Sequence, residues 1–82
     1  MRNTMADDVK TYSGEIARND VMAIGGEATR FVLKQDKSKI EITGDNALFQ
    51  KKLGMQVTVT GKWQWAGLEN RRQVFNVETL KP

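Results

Sequence analysis

Apolar residues recur at every second position over most of this chain, and no other feature limits its folding as strongly. In "KTYSGEIAR" the residues Tyr12, Gly14 and Ile16 share one side, with Thr11, Ser13 and Glu15 on the other. "ATRFVLKQ" sets Phe31 and Leu33 against Arg30, Val32 and Lys34, and "SKIEITG" sets Ile40 and Ile42 against Lys39, Glu41 and Thr43. "MQVTVTGKWQW" alternates Val57, Val59, Trp63 and Trp65 with Thr58, Thr60, Lys62 and Gln64; "QVFNVETL" alternates Phe75 and Val77 with Val74, Asn76 and Glu78. Strict alternation rich in β-branched residues marks strands with one buried face.

One segment breaks the rhythm. "GDNALFQKKLGM" spaces Leu48, Phe49 and Leu53 along one side of a short helix. Asp45 suits the N-cap, where a carboxylate accepts free N–H groups of the first turn. Lys51 and Lys52 fall in the last turn, at the negative end of the helix dipole. Gly54 fits the left-handed C′ position. "QDKSK" reads as a tight hairpin loop, "NDVMAIGGE" as a longer, mobile connection, and "AGLENRR" as the link between the last two strands.

The expected order is therefore strand, strand, strand, helix, strand, strand. Five short amphipathic strands bury their apolar faces and lose their edges by closing into a small barrel. A helix between the third and fourth strands then plugs one end, which is the layout of the OB-fold. "LGMQVTVTGKW" followed by "FNVETLKP" also resembles the ending of many small bacterial OB-fold domains: a leucine and glycine closing the helix, a V-x-V-x-G fourth strand, and a last strand ending in V-E-x-L/I. The resemblance covers roughly Thr11 to Lys81 and implies an all-β, five-stranded OB-fold barrel with one short helix. That domain is expected over 9–82, after a polar tail over 1–8. Gly61 permits a bend or bulge in the fourth strand, and a bulge there would swap the faces beyond it.

Several function classes are excluded by residue type. The 82 residues suit one domain with one core, and a hydrophobic share of 39% is that of a globular chain. With neither cysteine nor histidine, no disulfide, no Ser–His–Asp or Cys–His set and no histidine zinc site can be built. "AIGGEATR" lacks the lysine and the strand-to-helix setting of a P-loop, so it reads as a turn. Asp7, Asp8 and Asp45 are not brought together by any pattern, as carboxylate-based metal or glycosidase chemistry requires. The expectation is a non-enzymatic module without cofactor or metal. "MRNTMADDVK" has no apolar signal-peptide segment and no stretch has the length of a membrane span, so a soluble, cytoplasmic protein without membrane contact is expected.

A binding role draws on the cations. Lys and Arg number 13 against 10 Asp and Glu, and the surplus of +3 lies entirely beyond Glu41. In OB-folds, ligands cross the face of the second and third strands, between the first-to-second and fourth-to-fifth loops. The outward side of that face would hold Arg30, Val32, Lys34, Lys39 and Glu41, with Lys37 at the hairpin. The fourth-to-fifth loop adds Arg71 and Arg72, with Lys62 on its approach, beside Trp65. Cations track phosphates and aromatic rings stack on bases, so single-stranded DNA or RNA is the leading partner. Against it, no ring lies on the outward face of strands two and three, and single lysines there can be simple solvated groups. Trp63 is expected in the core; Trp65 stands between core edge and exposed ring. A protein partner or self-association is the alternative, suggested by the balanced charge of the first half and by Val21, Met22 and Ile24. A sugar or small-molecule site has only Trp65 in its favour.

Overall fold

Alternation of apolar and polar residues yields five strands, and the single helical segment separates the third from the fourth. In the computed structural model, which describes residues 8–19, 29–66 and 72–82, the elements are β1 (Val9–Arg18), β2 (Phe31–Lys34), β3 (Lys39–Thr43), α1 (Asn46–Lys51), β4 (Gln56–Ala66) and β5 (Arg72–Lys81). The order agrees with the expected one. Residues 1–7 of the expected tail over 1–8, the loop over 20–28 with Val21, Met22 and Ile24, and the fourth-to-fifth connection over 67–71 with Arg71 lie outside the described residues.

The strands close into a ring in the order β1-β2-β3-β5-β4. All seams are antiparallel except β3–β5, which is parallel and pairs Ile42 with Phe75 and Thr43 with Asn76. β1 serves two neighbours: its first part pairs with β4, from Val9–Lys62 to Glu15–Gln56, and its last part pairs with β2, from Glu15–Lys34 to Arg18–Phe31. One strand thereby closes the sheet on itself.

The residues on the inner side of this alternation form the core. Ile16, Phe31, Leu33, Ile40, Ile42, Val57, Val59 and Phe75 are buried in one cluster with Phe49 of α1. Phe49 reaches it edge-on against Phe31, with ring centroids 5.7 Å apart. Asp45 caps the helix as its residue type requires: the carboxylate accepts the Leu48 N–H at 3.1 Å. Lys52 is the C-cap, so Gly54, with φ of +80°, sits one place beyond the expected C′ position. Its N–H then donates to Ile16 O at 2.8 Å, and Met55 O accepts from Ile16 N–H at 3.1 Å, which ties the helix exit to β1.

The irregularity near Gly61 differs from the expected one. Thr60 pairs with Thr79 but Gly61 pairs with Val77, so the extra residue is Glu78, on β5. The parity of β4 is unbroken, and Val57, Val59, Gly61, Trp63 and Trp65 keep one face. The parity of β5 inverts instead: Phe75 and Val77 face inward before Glu78, and Leu80 faces inward after it, paired with Val59. Gly61 is needed for a different reason, since a β-carbon there would run into the Asn76 carbonyl.

Candidate functional site

Cross-strand register decides which side chains can act together. β4 runs from the helix toward Trp63 and Trp65, at the end of the ring where β1 and β5 begin. There Tyr12, Trp63 and Phe75 form an edge-to-face triangle, with centroids 5.9 Å apart for Tyr12–Trp63, 5.1 Å for Tyr12–Phe75 and 5.3 Å for Trp63–Phe75. The indole N–H of Trp63 donates to Tyr12 Oη at 3.0 Å, which satisfies a polar atom that packing against the core would otherwise strand. Trp63 is thus a partly buried wall of the core.

Trp65 lies on the same face two residues further on and is 56% exposed. It lies two residues beyond the packed aromatic triangle. Two residues that sequence reasoning did not single out share its face. Gln73 pairs directly with Trp65, and Lys10, opposite Gly61, follows the inward parity of Tyr12, Gly14 and Ile16 at the rim, where it is exposed. Their signal was present in the sequence: both have the parity of the core residues next to them.

The candidate cations are distributed over a different surface. Lys62 pairs with Val9 and Asn76, and Arg72 with Ala66; both belong to the outer face of the sheet, opposite in parity to Trp65. Lys62, Arg72 and Trp65, close in sequence, are therefore not on one face, and Arg71 lies outside the described residues. Lys34 and Lys39 pair directly across β2 and β3, both exposed, with Glu15 beside Lys34. Arg30 is exposed just before β2, and its carbonyl accepts the Asn19 N–H at 2.9 Å. β2 ends, β3 begins, β4 ends and β5 begins at the same end of the ring, so the Lys34–Lys39 pair and Trp65 share that end.

The centre of the outer face of β2 and β3 is closed. Val32, expected among solvent-facing residues, is only 3% exposed, and Val74 on β5 only 2%. Val32 pairs with Glu41, and the parallel register sets Glu41 beside Val74. Glu41 is held in this row: Thr29 Oγ1 donates to Oε1 at 3.2 Å, and Arg72 Nε stands 3.4 Å from Oε2. Side chains on neighbouring strands stand about 5 Å apart, so the stem of Glu41 falls between the two valines. Arg72 is thereby engaged with a carboxylate.

Among the described residues, no group of three or more His, Cys, Asp or Glu is placed to hold a metal ion, and no helix is long and apolar enough to cross a membrane. Comparison with protein families, with curated proteins and with solved structures finds no match.

Proposed function

We propose that the chain is a non-enzymatic OB-fold barrel that binds single-stranded nucleic acid at the rim where β4 ends and β5 begins. The ring order with its one parallel β3–β5 seam, and a helix between β3 and β4, supports the OB-fold assignment. The observation that carries the binding reading is Trp65, a large ring left 56% exposed on a rigid strand directly beyond a packed aromatic triangle. Such a ring offers a stacking surface for a base at little conformational cost. Lys10 on its face and the Lys34–Lys39 pair at the same end supply cations for the backbone, with Arg30 and Lys62 as further cations of the described residues. Arg72 then has a positioning part, through Glu41.

The test is titration of a labelled mixed-sequence single-stranded oligonucleotide, followed by anisotropy, for the wild type and Trp65→Ala. Stacking on one ring contributes about 1–3 kcal/mol, so the variant should bind roughly 5- to 150-fold more weakly. Equal affinities for the two proteins would remove Trp65 from the site; absence of binding at low salt would end the nucleic-acid reading.

A further inference from the structure

Among the described residues, the first part of β1 is paired with a strand on one side only. Ile16 N–H and C=O point toward the β4 side, where they meet Met55 O and Gly54 N–H. Successive residues of a strand alternate their backbone groups, so those of Lys10, Tyr12 and Gly14 point the same way, into the β4 ladder. Those of Val9, Thr11 and Ser13 point away from β4. From Glu15 onward this second edge is taken by β2, but β2 pairs no further than Glu15–Lys34. Beyond it, Gln35 Nε2 donates to Ser13 O at 3.2 Å, and among the described residues no hydrogen bond reaches the outward groups of Val9 or Thr11. Val9 is 57% exposed. A run "VKTYS" with strong strand propensity and only Lys10 as a guarding charge is an edge ready to pair.

We infer that this edge is a self-association surface, on which β1 of a second copy pairs antiparallel about a two-fold axis at Thr11. The register is self-complementary. Thr11 meets its own counterpart and Val9 meets Ser13 of the second copy, all with outward backbone groups, as hydrogen-bonded antiparallel pairs require. Between them Lys10 faces Tyr12 of the second copy, a cation opposite an aromatic ring rather than opposite another cation. No like charges stand directly opposite within the paired residues. The pairing joins two rings through one continuous sheet and leaves Trp65 on β4 outside the seam, while Lys10 belongs both to the seam and to the face of the nucleic-acid reading.

Sedimentation from tens of micromolar to about 1 mM spans the range of a small, weak interface, and amide exchange over the same range locates it. The expected result is a mass rising toward twice the monomer, with exchange at Val9, Thr11 and Ser13 slowing as concentration rises. The control variant is Thr11→Pro, which removes an N–H that points off an edge, where proline is tolerated. It should stay monomeric with an otherwise unchanged amide spectrum; should it fail to fold, the exchange pattern of the wild type decides alone. A monomer throughout the range would overturn the inference. So would a dimer protected elsewhere than β1, or a folded Thr11→Pro protein that dimerises like the wild type.

Discussion

Gly61 and the two tryptophans that follow it show how much depends on single positions. A β-carbon at Gly61 meets the Asn76 carbonyl, which is backbone and cannot swing aside. Gly61→Ala should therefore destabilise by about 2–4 kcal/mol in urea unfolding, the range of single substitutions that force a backbone shift. Trp63→Phe removes the donor to Tyr12 Oη as well as part of a packed ring, and should lower stability by about 1–2 kcal/mol. Trp65→Ala, at an exposed position, should change stability by no more than about 0.5 kcal/mol. Thermal unfolding of the last two variants side by side checks the division of roles. That division was half legible: parity placed both rings on one face, but where the ring of strands ends, and hence which indole is covered, depends on partners distant in sequence. Lys62 and Arg72 take the face opposite Trp65 by parity alone, since even and odd positions of a strand face opposite ways.

Among the elements, α1 was the most readable and β5 the least. Asp45, the Leu48–Phe49–Leu53 spacing and Gly54 are local signals, and the helix starts where Asp45 places it and ends one residue earlier than Gly54 implies. Only six residues long, it holds by what it buries rather than by its own propensity. Phe49→Ala should therefore cost about 3–5 kcal/mol in chemical unfolding, in proportion to a fully buried ring removed from the core. A loss below about 1 kcal/mol would mean that α1 is an ornament on the ring. In β5 the extra residue Glu78 is set by pairing with β4, across the sheet. Its trace in the sequence is the odd spacing between Val77 and Leu80, which breaks a period of two.

For the molecule as a whole, five strands could be counted from the sequence, whereas the closure of the ring could not be seen in any one of them. It rests on β1 changing partners near Glu15 and on the parallel β3–β5 seam. The closed row Val32–Glu41–Val74 was hidden for the same reason, because it assembles from three strands. That row leaves Lys34 and Lys39, with Lys37 in the turn between them, as the cations of the β2–β3 hairpin. Single-strand affinity falls with salt at a slope of about 0.7 per neutralised phosphate. In the Lys34→Gln, Lys39→Gln double variant the slope of log K against log salt should be shallower by about 1.4. An unchanged slope would make the two lysines solvated surface groups and leave Lys10 as the cation that serves Trp65.

The separation of the indoles has a practical side. Trp63, partly buried and hydrogen-bonded against Tyr12 and Phe75, should emit to the blue of Trp65, which is 56% exposed two residues away. The protein therefore contains two native optical reporters on one strand with different duties. Red-shifting of the Trp63 band follows loss of the fold, and quenching of the Trp65 band by iodide or by a ligand follows occupancy of the rim. Trp63→Phe and Trp65→Phe isolate each signal, so folding and binding can be read separately without an added label.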